Sequence, residues 1–162
     1  MILYHGSSLK VEKPTIAKCR SNTDFGRGFY TTTSKEQAQK WAKLKQQRAG
    51  KGVAVISVYE IDDRLFESTD LIIFKFTKAD SDWLDFVFAN RKGLKSKKYD
   101  IVFGPVANDR LFATITLYEE GILTAEAAIE QLKTYLLFDQ ISFNTQRVID
   151  FLKFKSYERI SD

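Results

Sequence analysis

Two short segments near the N-terminus contain residues whose types and order suit the binding of a small ligand. Residues 4–7, with the sequence YHGS, place the only histidine of the chain, His5, directly before Gly6. Residues 24–33, with the sequence DFGRGFYTTT, predict a glycine-rich turn that leads into a strand at Tyr30. A neutral histidine both donates and accepts hydrogen bonds, a glycine admits close approach to the main chain, and a tyrosine offers a face for stacking. Together, in this order and about 25 residues apart, the two segments are the most informative feature of the chain.

The elements that must position these segments follow from capping signals and hydrophobic patterns. Ser34 and Gln37 form a capping box, which predicts a helix that ends at Gly50. Residues 111–118 fit a strand or a helix equally well, and Pro105 is expected to end its strand or to mark a sheet edge. Strands are predicted at 2–4, 29–32, 53–61, 71–76, 101–106 and 140–143, and further helices at 81–91, at 125–136 and from residue 145. This irregular alternation, without a Gly-x-Gly-x-x-Gly after a strand, predicts one mixed α+β domain rather than a Rossmann-type domain.

The composition favours a folded domain and excludes several functional classes. The chain has 162 residues, of which 44% are hydrophobic, and this is enough for a substantial core. Cys19 is the only cysteine, so no internal disulfide can form; with one histidine beside it we assign no metal, although an all-carboxylate site stays open. No segment has the ~20 apolar residues that span a bilayer, and the N-terminus lacks a signal-peptide pattern, so we expect a cytoplasmic protein with no membrane partner. The net charge of +4 leaves nucleic acid open as a partner.

The two N-terminal segments resemble the first two motifs of a known superfamily. Residues 3–7 (LYHGS) and 26–30 (GRGFY) look like those of the diphtheria-toxin and poly(ADP-ribose) polymerase branch of the ADP-ribosyltransferases, which is described by a histidine, a tyrosine and an acidic residue. A longer series of segments resembles a family of small bacterial proteins assigned to this superfamily without a settled function. Its later members are WLDFV at 83–87, NR at 90–91, YDIVFGPVAND at 99–109 and the glutamine at 140.

The resemblance implies a fold and a domain organisation. The expected fold is α+β and ADP-ribosyltransferase-like, with two packed, mostly antiparallel sheets flanked by helices. A single domain of this type covers residues 1–155. The polar residues 156–162 are expected to form a loose C-terminal tail.

The resemblance also implies NAD as co-substrate and a role for each matching residue. His5 bonds a ribose hydroxyl, the main chain of Gly6 bonds the nicotinamide carboxamide, and Tyr30 stacks on the nicotinamide ring. Trp41, eleven residues after Tyr30 on the next helix, corresponds to a second aromatic wall. The other positions assigned to NAD binding are Ser7, Gly28, Asn90 and Arg91.

Two polar pairs in the second half of the chain are interpreted as exposed. Asn90 and Arg91 end a predicted helix, and Asn108 and Asp109 follow a predicted strand. Both pairs are expected to contact the NAD phosphates or to orient the acceptor.

The acidic position of the superfamily corresponds to Gln140. A glutamate there would bond the 2′-hydroxyl of the nicotinamide ribose and stabilise positive charge as the C–N bond breaks. A glutamine keeps the hydrogen bond but has no charge and cannot act as a general base, so we expect transfer of a single ADP-ribose. Asp139 is an alternative carboxylate, but strand alternation directs it to the opposite face.

The resulting prediction is a cytoplasmic bacterial mono-ADP-ribosyltransferase with His5, Tyr30 and Gln140 as catalytic residues. Its acceptor is a protein or a nucleic acid, and the resemblance suggests a toxin with a neutralising antitoxin protein. The alternatives are a non-catalytic NAD- or nucleotide-binding module, an RNA 2′-phosphotransferase-like enzyme, and an interaction protein in which the motifs coincide by chance. Taken alone, each residue also has a structural interpretation, and it is the combination that favours a site.

Overall fold

The computed structural model describes residues 1–94, 97–106, 109–133 and 139–160. Within these ranges the strands are β1 (Ile2–Ser7), β2 (Phe29–Thr31), β3 (Val55–Glu60), β4 (Ile73–Lys75), β5 (Ile101–Pro105), β6 (Asp139–Phe143) and β7 (Lys153–Arg159). The helices are α1 (Lys35–Ala49), α2 (Ser81–Arg91), α3 (Asp109–Glu119), α4 (Ala125–Lys133) and α5 (Gln146–Ile149). Short 3₁₀ helices lie at Ile16–Lys18 and Asp63–Glu67.

The strands form two sheets that meet at β1 and β2. The three-stranded sheet has the order β1-β3-β7 and the four-stranded sheet the order β2-β6-β5-β4. Strands β4 and β5 are parallel, and the other pairs of described strands are antiparallel. An antiparallel bridge between Tyr4 and Thr32 joins β1 to the end of β2. The prediction of an α+β protein with two mostly antiparallel sheets and helices is thus confirmed.

Side-chain alternation along the strands divides the protein into four layers. The inner faces of the two sheets enclose the main core, whose buried members are Leu3, Phe29, Tyr59, Ile61, Leu71, Ile101, Ile141, Phe143, Val148, Ile149 and Leu152. The outer face of the four-stranded sheet packs against α2, α3 and α4 through Phe25, Trp83, Leu84, Val87, Val102, Ile115 and Ala128. Helix α1 covers the outer face of the three-stranded sheet, where Ala38 clusters with Ile56 and Val58.

Local signals in the sequence determine where several elements begin and end. Ser34 accepts a 3.2 Å hydrogen bond from the main-chain nitrogen of Gln37, which is the first half of the predicted capping box. The main-chain nitrogen of Ser34 donates to Oγ1 of Thr32 at 3.1 Å, in place of the predicted bond from the Gln37 side chain. Gly50 ends α1 in a left-handed conformation with φ of 62°. Strand β5 ends at Pro105 but lies between β4 and β6, so Pro105 ends a strand inside the sheet rather than at its edge.

The structure decides two expectations for the second half of the chain, and a third lies partly outside the described residues. Residues 111–118 lie in helix α3, which decides between the two alternatives. Helix α4 ends at Lys133 in the described part of the chain, and the remaining predicted helical positions, 134–136, lie outside it.

The expectation of a loose tail is wrong for residues 156–159, because they belong to β7 and pair with β3. Strand β7 lies at a sheet edge and is largely exposed, so it lacks the apolar pattern by which a buried strand is recognised. In the ranges that the structure describes, no helix has the length and apolar character needed to cross a bilayer.

Candidate functional site

The two N-terminal motifs come together where β1 meets β2. Main-chain hydrogen bonds of 2.9 and 3.0 Å join Tyr4 and Thr32 in both directions. Next along β1, Nδ1 of His5 lies 2.7 Å from the main-chain oxygen of Tyr30. Because a carbonyl oxygen only accepts, Nδ1 carries the proton and Nε2 is the acceptor of the ring. His5 therefore connects the two predicted segments directly.

His5 is nearly buried and its ring is neutral. The residue is 8% exposed, and its ring stacks on Phe29 with 4.3 Å between the ring centroids. Burial, followed by the positive charge of Lys45, lowers the pKa of His5 from 6.5 to about 3. Phe29 belongs to the inner core, whereas Tyr30, the next residue, directs its ring to the opposite face of β2. His5 thus contacts the main chain of Tyr30 and not its ring.

Gly6 lies directly against helix α1. A Cβ added at this position would lie 2.1 Å from the main-chain oxygen of Ala38 and 2.8 Å from the main-chain nitrogen of Ala42. Glycine is needed here for helix packing, independently of any ligand. Trp41 belongs to the same contact, since its Cβ lies 3.0 Å from the added Cβ of Gly6. The structure therefore brings Gly6 and Trp41 together, and Lys45 donates a 2.9 Å hydrogen bond to the main-chain oxygen of Gly6.

Positive charge gathers around this end of β1. Although Lys45 is exposed as a residue, burial of its ammonium and the nearby Arg20 lower its pKa from 10.5 to about 8. Burial raises the pKa of the Cys19 thiol, and the charges of Arg27 and Lys45 oppose that increase. Lys45 thus lies at Gly6, Arg20 acts on Lys45 and Arg27 acts on Cys19, and positive charge of this kind favours anions.

The hydroxyl of Tyr30 fastens the glycine-rich turn. It accepts a 2.8 Å hydrogen bond from the main-chain nitrogen of Phe25 and donates one of 2.8 Å to the main-chain oxygen of Gly26. Oγ1 of Thr23 lies 2.8 Å from the same hydroxyl. Gly26 has a φ of 79°, in the left-handed region that favours glycine. Burial raises the pKa of Tyr30, so the phenol stays protonated and can donate.

Gln140 shares the face of Tyr30 on the neighbouring strand. Tyr30 pairs with Ser142 across β2 and β6, and alternation places Gln140, two residues away, on that face. The residue is 3% exposed. Its Nε2 donates to Oδ2 of Asp24 at 3.2 Å and to the main-chain oxygen of Pro105 at 3.3 Å. The amide is thus held beneath the glycine-rich turn.

Asp139 lies on the other face of β6, as alternation predicted. It is exposed and accepts hydrogen bonds of 2.9 and 2.8 Å from Oγ1 of Thr33. The carboxylate of Asp139 therefore does not share the face of Gln140.

The expectation that Asn90 and Arg91 are exposed is wrong. Nε and Nη2 of Arg91 donate to Oδ1 of Asp24 at 2.9 and 2.5 Å, and the Arg91 and Asp24 side chains are only 11% and 14% exposed. Nδ2 of Asn90 donates to the main-chain oxygen of Phe86 at 2.9 Å. The sequence contains the signal for this burial, because Trp83 starts an apolar stripe that reaches Asn90 seven residues later.

Asp24 is the residue that the sequence reasoning left without a role. Its carboxylate accepts from Arg91 and from Gln140, two residues to which it is connected only by the fold. An aspartate directly before a glycine-rich turn commonly helps to form the turn. The sequence alone therefore does not distinguish that role from the acceptance of hydrogen bonds from distant residues.

The remaining predicted positions are Ser7, Gly28, Asn108 and Asp109. Ser7 ends β1 opposite Val55. A Cβ added at Gly28 would lie 2.1 Å from Oγ of Ser142, so this glycine lets the turn approach β6. Asn108 lies outside the described residues, and Asp109 is the first residue of α3. Within the described ranges, no three histidine, cysteine, aspartate or glutamate side chains gather as a metal site would require.

The fold and the site define a class: a two-sheet α+β protein with a histidine at the junction of its sheets and a buried glutamine–aspartate–arginine network on the outer face of the four-stranded sheet. This chain belongs to DUF3990, a family described as proteins of unknown function, whose model matches residues 1–154. No curated protein and no solved structure matches the chain. The family description names no activity, so a function has to be argued from the site.

Proposed function

We propose that this protein is an NAD-dependent mono-ADP-ribosyltransferase, which releases nicotinamide and transfers one ADP-ribose to a macromolecular acceptor. The observation that carries the proposal is the 2.7 Å contact between Nδ1 of His5 and the main-chain oxygen of Tyr30. Gln140 lies on the next strand and on the face of Tyr30. Neighbouring strands β1, β2 and β6 thus carry the histidine, the tyrosine and the third-position residue of the superfamily that the sequence resembles, with the His5 ring against inner-face Phe29 and the Tyr30 and Gln140 side chains on the outer face.

The junction offers groups that suit the nicotinamide riboside half of NAD. Nε2 of neutral His5 would accept a hydrogen bond from a ribose hydroxyl. Tyr4 uses the edge of β1 away from β3 to bond Thr32, and Gly6, two residues later, turns its main-chain groups to the same edge. A carboxamide could therefore approach the main chain of Gly6 there. The cluster of Lys45, Arg20 and Arg27 would suit the diphosphate.

The reaction breaks the bond between C1′ of the ribose and N1 of nicotinamide, and nicotinamide leaves with the electron pair. The acceptor forms the new bond to C1′ and loses a proton. Gln140 would accept a hydrogen bond from the 2′-hydroxyl without adding negative charge, so it stabilises the developing positive charge less than a glutamate would. A neutral third-position residue favours a single transfer.

Nicotinamide release from NAD by the purified protein tests this proposal. We would compare wild type with His5→Gln and Gln140→Ala, and use Asp139→Asn as the matched control because Asp139 is exposed on the opposite face of β6. The first two substitutions should lower the rate about tenfold or more, while the control should keep it. Equal release by all four proteins would contradict the site. Labelled NAD added to bacterial lysate would then identify the acceptor.

A non-catalytic NAD- or nucleotide-binding module is the second candidate. The observation that favours it is the engagement of the Gln140 amide inside the protein. NAD binding without nicotinamide release would support this module, and absence of binding would leave an interaction protein. An RNA 2′-phosphotransferase-like activity has less support, because Arg64, Arg91 and Arg147 are held by three separate partners.

The toxin role and its neutralising antitoxin follow from the resemblance. Expression in a bacterial host tests them: wild type should arrest growth, and His5→Gln should relieve the arrest at equal protein level. Growth arrest by both proteins would mean that the toxicity does not depend on the proposed reaction.

A further inference from the structure

The side-chain amide of Gln140 has one orientation that satisfies its neighbours. One end of the amide lies 3.2 Å from Oδ2 of Asp24 and 3.3 Å from the main-chain oxygen of Pro105. Both neighbours are oxygen acceptors, so the NH₂ group faces them. Oε1, the acceptor of the amide, therefore lies on the side away from Asp24 and Pro105.

Asp24 is itself fixed in place. Its Oδ1 accepts from Nε and Nη2 of Arg91, which leaves Oδ2 for Gln140. Hydrogen bonds between ionic partners are short and strong, and this pair is mostly shielded from water. The turn that carries Asp24 is also held from its other side, where Nδ2 of Asn144 donates to the main-chain oxygen of Phe25 at 2.6 Å. The carboxylate is thus a rigid support for the amide.

We propose that Asp24, held by Arg91, is a positioning residue that makes Gln140 an obligate acceptor for a ligand hydroxyl. It binds the donor end of the amide and so presents Oε1 to the ligand, which is the nicotinamide ribose in the proposed reaction. This inference rests on the proposed function. It explains why a glutamine suits this site: the residue has to donate to Asp24 and Pro105 on one side and accept on the other, and a carboxylate can do only the second.

The proposal makes an unusual prediction for Gln140→Glu. In the superfamily that the sequence resembles, a glutamate is the expected residue, so this substitution would be expected to raise activity. Here the new carboxylate would face the carboxylate of Asp24 and a carbonyl oxygen, and like charges at this distance repel. Adding Asp24→Asn restores a donor opposite the new carboxylate, and the total charge of the pair is then the same as in wild type.

The experiment is a double-substitution cycle on the full chain, with NAD as the probe. Affinity is measured by calorimetric titration, well below the unfolding temperature of each protein, and nicotinamide release is measured in parallel. We expect Gln140→Glu to weaken NAD binding about tenfold or more, and Asp24→Asn/Gln140→Glu to return within about threefold of wild type. A purely stabilising contact would leave the affinity of the folded protein unchanged.

Two results would overturn the proposal: Gln140→Glu binding NAD as tightly as wild type, or a double variant as weak as Gln140→Glu alone. If the wild type binds no NAD, the proposed function fails. Thermal unfolding then tests the contact between Asp24 and Gln140 independently of NAD. The contact is supported if Gln140→Glu lowers the unfolding midpoint and Asp24→Asn reverses most of that loss. It is overturned if the double variant loses as much as the sum of the losses caused by Asp24→Asn alone and Gln140→Glu alone.

Discussion

The two faces of the β2–β6 pair are buried to a similar extent, but they are built from different kinds of side chain. The inner face contributes Phe29, Ile141 and Phe143 to the core between the sheets. The outer face, one residue out of phase, carries Gln140 and Ser142, both buried as well. Apolar burial stabilises in proportion to area and needs no particular partner, whereas each buried polar group must find one. The apolar side chains of the inner face therefore stabilise the fold wherever they pack. The polar side chains of the outer face need specific hydrogen-bond partners, which burial alone does not require.

The polar network on the outer face is assembled from distant parts of the chain. The glycine-rich turn supplies Asp24, helix α2 supplies Arg91, and β6 supplies Gln140. An apolar cluster of the same volume would often be at least as stable as such a network. The two faces should therefore respond differently to substitution.

The largest expected effect comes from breaking the inner face. Phe143→Ala should lower the free energy of unfolding by about 3–5 kcal/mol, because it removes a fully buried aromatic side chain and leaves a cavity. Urea unfolding measures the loss. Exposed Phe151 provides the control, since Phe151→Ala should change stability by about 1 kcal/mol or less. Similar losses at both positions would contradict the assigned core.

Acid should destabilise the protein through His5, which borders the inner face. The pKa of His5 is about 3 in the folded protein and 6.5 without burial, so the unfolded state takes up a proton first as the pH falls. The contribution of neutral His5 is complete above pH 6.5 and is lost progressively towards pH 3, by up to about 4 kcal/mol. Unfolding curves from pH 7 to 4 should therefore fall more steeply for wild type than for His5→Gln. Parallel curves would mean that His5 is not buried as a neutral ring.

Breaking the outer network should cost less than breaking the core but more than breaking a surface pair. Asp24→Ala leaves Arg91 without its carboxylate in a largely buried place and should destabilise by about 3 kcal/mol. The matched control is Glu158→Ala, which removes the partner of exposed Lys35 and should cost below about 1 kcal/mol. Denaturant unfolding of both variants measures the ratio, and equal losses would contradict the burial of the network.

The smallest expected effect separates the ring of Tyr30 from its hydroxyl. Tyr30→Phe keeps the packing but removes the bonds to Phe25 and Gly26, so stability should fall by about 1–2 kcal/mol. Hydrogen exchange at the amide of Phe25 should become faster, since that amide loses its acceptor. The amide of Leu84, which bonds the main-chain oxygen of Asp80 in α2, is the internal reference. Unchanged exchange at Phe25 would mean that the hydroxyl does not fasten the turn.

Local signals in the sequence predicted the elements well because their physical causes are local. The side-chain cap at Ser34 and the apolar run of β3 act over a few residues, and both are found in the structure. The meeting of His5 and Tyr30 was accessible only through the resemblance, since β1 and β2 are separated by a long irregular segment.

The sequence could not predict how the polar residues are used. Asp24 and Arg91 are ordinary surface types, and nothing local shows that the fold brings them into contact. Gly6 was assigned to a ligand, but its nearest neighbour is the main chain of α1. Close approach of two backbones and close approach of a ligand require the same residue, so the amino acid alone does not tell them apart.

The position of β7 has a consequence for synthesis of the chain. β3 is the central strand of its sheet, and its second neighbour is β7, which pairs Lys153 with Glu60. While the ribosome makes residues 61–152, one edge of the apolar strand β3 has no partner, and such an edge is prone to pair with other chains. A chain that ends before β7 would leave this edge of β3 without its partner, and we expect it to aggregate more readily than the full chain.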